Sequence, residues 1–174
     1  MELEDVDKIT TGAVGEPGER TFFLQARAGE RLVTIGVEKE QVELLCSSIL
    51  EILATVDKET GEGPEGDELE LEVPLEPLWR ADRLTIGYSE ERDLMLLELE
   101  ELVPEPEGED EVENALEPDH MRIWATREQM LALSRHGAAV AARGRPRCRF
   151  CGNPMDAEGH MCPAMNGHRG SPGT

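Results

Sequence analysis

A short run near the C-terminus constrains this chain most: Arg147-Cys148-Arg149-Phe150-Cys151-Gly152, followed by Gly159-His160-Met161-Cys162-Pro163. Three of the four cysteines and two of the four histidines fall between Cys148 and His168. The spacing Cys-x2-Cys-x8-His-x-Cys places four soft or borderline ligands within fifteen residues. Tetrahedral Zn²⁺ takes such a set, thiolates and a neutral imidazole, from a turn-rich segment. Cys148 and Cys151, followed by Gly152, suit a knuckle, a tight turn that aims both thiolates at one ion. His160 and Cys162 would face opposite ways on a straight strand, and the flanking Gly159 and Pro163 supply the bend that lets both ligate. His168 competes with His160 for the fourth place. Four filled positions leave none for an activated water, so the expected ion is structural Zn²⁺ rather than catalytic.

The compartment follows from the same residues. The start, Met1-Glu2-Leu3-Glu4-Asp5, has neither the basic nor the apolar part of an export signal. Clustered Cys and His without such a signal point to metal rather than disulfides, and to a cytoplasmic protein. No apolar run suggests a membrane span, and no membrane partner is expected. Charge is divided unevenly around a formal net of −21. Residues 1–118 hold nine basic and 34 acidic side chains, net −25, whereas residues 119–174 hold eight and four, net +4. The acidic body should repel nucleic acid, and the tail tolerates an anion.

Hydropathy patterning predicts an α+β fold: two pseudo-repeated βββα units forming antiparallel sheet or sheets, covered by two helices, with a small zinc knuckle appended. The body spans 1–143 and the knuckle tail 144–174. Repeat one, about 6–57, has strands at 6–14, 20–27 and 31–37 and a helix over 38–55. Repeat two, about 79–143, has strands at 80–87, 92–101 and 119–125 and a helix from Thr126 to Ala142. Gly15–Gln25 lies over Gly87–Leu97 at an ungapped offset of 72, and Ile35–Val42 over Ile123–Met130 at an offset of 88. One insertion, the acidic loop 102–117, accounts for the difference; a second acidic stretch, 58–72, reads as a solvated linker. Thr126 and Gln129 form a capping-box pattern, with Glu38 and Gln41 in the matching places of the first copy.

Other features have plain readings. Cys46 lies beside the apolar stripe of the first helix and is a buried small hydrophobe. Gly12-x-x-Gly15-x-x-Gly18 leads into a strand, not a helix N-terminus, so it marks a hairpin turn rather than a phosphate loop. Arg143, Arg145, Arg147 and Arg149 run from the second helix into the knuckle. They complement the helix C-terminus and the acidic body, or they contact an anion with Phe150 as a stacking ring. Arg20, Arg27 and Lys39, with Gln25 and Gln41, are the candidates for a pocket that takes a phosphorylated or acidic metabolite. No catalytic constellation occurs in the chain. The leading expectation is a non-enzymatic zinc-binding interaction or adaptor module with a protein partner. Nucleic-acid binding through the Arg-rich knuckle comes second, and an enzyme or binder for a phosphorylated small molecule third.

Gly15-x-Pro17-Gly18-Glu19-Arg20-Thr21-Phe22-Phe23-Leu24-Gln25-Ala26-Arg27, Glu38-Lys39-x-Gln41, and Cys148-x-x-Cys151-Gly152-x-Pro154-x-Asp156-x-x-Gly159-His160-x-Cys162-Pro163-x-x-Asn166-Gly167 together resemble one family. It is an uncharacterised bacterial family, of the high-GC Gram-positive type, carrying a domain of unknown function of about this length. The resemblance implies a fold and a metal clip and no activity. His168 stands where the family pattern implies a tyrosine, which favours His160 as the ligand.

Overall fold

The computed structural model describes residues 1–16, 18–104, 117–143, 148–153, 155, 160–165 and 169–170. It divides into two compact units, one of Met1–Val14 with Thr21–Ala141, the other of Gly15–Arg20 with Ala142–Thr174.

The first unit is a mixed α+β body with two sheets and two helices. β2 (Lys8–Val14), β3 (Thr21–Ala28) and β4 (Arg31–Val37) form an antiparallel meander, followed by α1 (Lys39–Thr55). β5 (Ala81–Ser89), β6 (Leu94–Glu101) and β7 (His120–Ala125) form a second, followed by α2 (Arg127–Ala142). The short β1 (Glu2–Leu3) adds in parallel to β7, a strand too brief to announce itself by alternation. Between α1 and β5 lies a 3-10 turn, Gly66–Leu69.

Alternation on the strands sends one face of each sheet to a common core. Leu24, Ile35, Leu97 and Ile123 are buried there with Val42, Leu45, Met130 and Leu133 from the helices. Full burial of such side chains stabilises by about 1.5–3 kcal/mol each. The helices meet where Ser134 Oγ donates to the Cys46 carbonyl at 2.8 Å. Gly137 makes this approach possible, since a Cβ there would stand 2.6 Å from Cys46 Sγ. Cys46 is indeed a buried small hydrophobe, and burial pushes its thiol up to about 11.

The sheets meet edge to edge. Leu78 and Gly36 N–H donate to Thr34 and Trp79 C=O, each at 2.9 Å, around a parallel bridge between Gly36 and Arg80.

Composition suggested that 58–72 is solvated, and ten of its fifteen residues are exposed; the remainder lets the chain pack as a strap. Leu69 is buried, and Thr10 Oγ1 donates to its carbonyl. The buried Gln25 amide bonds both backbone groups of Glu72, at 2.7 and 2.9 Å, in the manner of a strand partner. Leu71 lies over Gly12, where a Cβ would come within 2.6 Å of its side chain. The strap thus covers the face of the first sheet opposite the helices, and polar Thr10, Gln25 and Thr34 are buried between. Residues 105–116 of the second acidic loop lie outside the described residues.

Candidate metal centre

The second unit has its own small core: Cys148, Met155 and Cys162, with Cys151 packed against them. The knuckle turn is made by backbone bonds. Gly152 N–H donates to Cys148 C=O and Cys148 N–H to Asn153 C=O, both at 2.8 Å. Gly152 has φ +73, the left-handed region where a glycine costs least. Phe150 N–H points at Cys148 Sγ, 3.5 Å away. Downstream, β8 (His160–Met161) pairs with β9 (Arg169–Gly170), and a 3-10 turn, Pro163–Met165, follows Cys162.

The sulfur atoms of Cys148, Cys151 and Cys162 lie within 4.8 Å of one another. Cys148 and Cys162 Sγ are 3.7 Å apart, too far for a disulfide. A tetrahedron with Zn–S bonds of about 2.3 Å has an edge of about 3.8 Å, so the pair is spaced as two ligands of one ion. Backbone N–H groups of Cys151 and Phe150 hold the Cys148 thiol below its ordinary value, whereas burial raises that of Cys162. The N–H groups around Cys148 favour the thiolate, the form that ligates. The three cysteines can therefore hold a metal ion. The side chain of His160 and all of His168 lie outside the described residues, as do Arg145 and Arg147.

The other expected contact residues are distributed as follows. Arg143 is exposed just beyond α2. Arg149 stacks on Phe150, its guanidinium carbon 4.8 Å from the ring centre, with the ring half exposed. Arg20 belongs to the Gly15–Arg20 turn of the same unit, where Glu19 N–H bonds Glu16 C=O at 2.9 Å and Gly18 has φ +94. In the body, Arg27 is ion-paired with Glu72, and Lys39 lies 3.8 Å from Glu43 one turn on. Gln41 Nε2 donates to the Ala81 and Asp82 carbonyls, at 3.1 and 2.9 Å. Gln25, Arg27 and Gln41 thus serve structural bonds rather than meeting in one polar pocket.

Sequence reasoning missed Met155, which closes the cysteine cluster, and the Phe150 N–H contact to sulfur. The second was recoverable, because a Cys-x-x-Cys-Gly turn aims such N–H groups at its first sulfur.

Body and cluster define the class: an α+β protein of two sheets and two helices, carrying a cysteine triad competent to bind metal. The chain belongs to DUF3090, a family of proteins of unknown function whose model matches residues 1–162. No curated protein and no solved structure matches it. Among the described residues, no helix is long and apolar enough to cross a membrane.

Proposed function

We propose that this protein is a non-enzymatic interaction or adaptor module whose C-terminal segment is shaped by structural Zn²⁺. Cys148, Cys151 and Cys162 supply three thiolates, and His160 the fourth ligand. The carrying observation is the convergence of three thiols with one tetrahedral-edge spacing of 3.7 Å. Thiolate-rich sets select zinc over harder divalent cations, and a closed set fastens rather than reacts. Native mass measurement with and without a chelator tests this. One zinc per chain is expected, lost with Cys148→Ser and weakened by His160→Ala but not by His168→Ala. A protein that purifies metal-free and binds no added zinc rules the reading out.

A second reading, contact with single-stranded nucleic acid, is favoured by one feature. Phe150 is half exposed, with Arg149 stacked on it, the pairing that base-stacking surfaces use. Steep salt dependence and loss with Phe150→Ala are its signature. Absence of binding to RNA or single-stranded DNA at low salt disposes of it.

We also propose that the body is a duplicated βββα unit, organised so that each half holds the other. Leu24 pairs with Ile35, and Leu97 with Ile123, supporting an offset of 88 for the third strand. The middle strand then takes an offset of 73, one more than the ungapped sequence match. Leu78–Arg80 enters against β4 in parallel, as Glu2–Leu3 enters against β7. Gln41 caps α1 by accepting from Glu38 N–H at 2.8 Å and reaches into the second half. Gln129 accepts from Thr126 N–H at 2.9 Å and donates to Val6 C=O at 2.7 Å, in the first half.

A further inference from the structure

The two halves of the body treat corresponding grooves differently. Beside α2 the groove is filled by the chain itself. Arg127 Nη1 donates to Glu59 C=O at 2.8 Å and to Thr60 Oγ1 at 2.7 Å. Gly61 N–H reaches Glu128 Oε1 at 3.4 Å. Gly63 lies so close that a Cβ would stand 2.3 Å from the Glu128 carbonyl oxygen and 3.3 Å from the Ala132 side chain. Under this cover Ala132 is only 3% exposed. Leu44 holds the same place on α1, 88 residues earlier, and it is 68% exposed.

Leu44 overlooks a groove of about 520 Å³ between α1 and β5, with Leu45, Ile52, Leu84 and Ile86 as its apolar lining. The groove touches every residue from Asp82 to Ile86. Successive side chains on a strand face opposite ways, so a cavity that touches five in a row runs along the strand edge. β5 ends its sheet, and the link to the neighbouring meander, Leu78–Arg80, lies just before it. A bulge at Asp82 and the Gln41 amide close the upstream end. From Arg83 to Ser89, that edge has no strand partner among the described residues.

We propose that this groove receives an extended, basic and apolar segment of a partner protein, which adds a strand to β5 and sets alternate side chains on Leu44, Ile52, Leu84 and Ile86. Edge addition gives affinity through main-chain bonds and specificity through the alternate pockets. Charge selects the occupant. Glu51 and Asp82 outnumber Arg83 around the groove, within a stretch of 118 residues whose net charge is −25. A second copy would set those acids against themselves, whereas lysine or arginine beside them is attracted. Comparison of the two grooves rests on the duplicated plan; the open edge and its lining do not.

The probe is a fluorescein-labelled peptide alternating lysine with valine or leucine, long enough to span Arg83–Ser89, titrated into the full chain and followed by anisotropy. Saturable binding is expected, with hydrogen-exchange protection on the amides of β5. Leu44→Asp, a change at an exposed position that leaves the melting temperature in place, should weaken it by about tenfold or more. Proline at the peptide positions facing β5 should abolish it, and a glutamate-for-lysine peptide should not bind. Absence of binding, or binding indifferent to Leu44→Asp and to proline, overturns the proposal. So does self-association of the free protein that Leu44→Asp abolishes, which would assign the face to a second copy. Zinc content measured on the same samples keeps this outcome separate from that of the metal reading.

Discussion

Asp93 turns the chain between β5 and β6 with φ +50, and its carboxylate gathers three donors, one from its own hairpin and two from distant parts of the chain. Tyr88 Oη donates at 2.6 Å and Arg127 Nε at 3.0 Å, with Lys58 Nζ 3.2 Å away. Tyr88 and then Arg127 hold its pKa down to about 2, from an ordinary 3.8. A depressed carboxylate pKa stabilises the fold above 3.8 and loses that contribution as pH falls towards about 2. Asp93→Asn keeps a residue that tolerates positive φ and removes the charge. Thermal melts should show lower stability at neutral pH and a flatter decline between pH 3.8 and about 2; an unchanged acid slope would show that the charge is idle. Gly137 offers a second case. Alanine usually gains about 1 kcal/mol over glycine inside a helix. Here its Cβ would stand 2.6 Å from Cys46 Sγ and 2.9 Å from Thr11 Cγ2, so Gly137→Ala should cost about 1–3 kcal/mol. Chemical denaturation should show that cost shrinking in a Cys46→Ala background, and additive single effects would exclude the clash. Neither contact was legible in the sequence. Gly137 meets Cys46 and Thr11, and Asp93 meets Arg127 and Lys58, across long stretches of chain, and an Asp among charged turn residues looks like any other.

At the scale of elements, local rules carried most of the fold. The apolar positions of α1 at helical spacing, the Thr126–Gln129 box and the alternation on β4 each place an element to within a residue or two. The strap's solvated character was read from its acids, Gly and Pro, and most of it is exposed; its packing was not, because its apolar anchors are few. What holds it is polar and long-range, chiefly the Gln25 amide and the ion pair from Arg27. A buried Gln on the outer face of a strand was the available signal, since it must find backbone partners. Two substitutions test whether the strap is integral. Leu69→Ala should cost about 2–5 kcal/mol by denaturant titration. Gly63→Ala, at φ +77 and against the Glu128 carbonyl, should destabilise by about 2 kcal/mol. Near-neutral values for both would mean that the strap is only draped. On the duplicated plan proposed above, the ungapped offset of 72 falls one residue short for the middle strand. It laid Gly15, in a turn, over Gly87, inside β5, because glycine and acids recur in both places. In the cysteine cluster, spacing alone brought Cys148, Cys151 and Cys162 together, since a short turn-rich loop leaves few other geometries.

For the whole molecule, the governing feature is reciprocity. Each meander has one segment of the other half along its third strand, and each helix start is bonded to the opposite half. Separated at the strap, fragments 1–75 and 76–174 should each lack a folded core yet form a stable one-to-one complex when co-expressed. Size-exclusion chromatography and hydrogen exchange would read this, and a fragment that is compact and protected alone would argue against it. The same arrangement sets an order of events during synthesis. β2, β3 and β4 leave the ribosome early, but the helix whose Gly137 closes over Cys46 comes almost a hundred residues later. Until then one apolar face of the nascent sheet has α1 alone to cover it. The N-terminal half should therefore spend translation incomplete and open to chaperones, and settle only when α2 has cleared the exit tunnel.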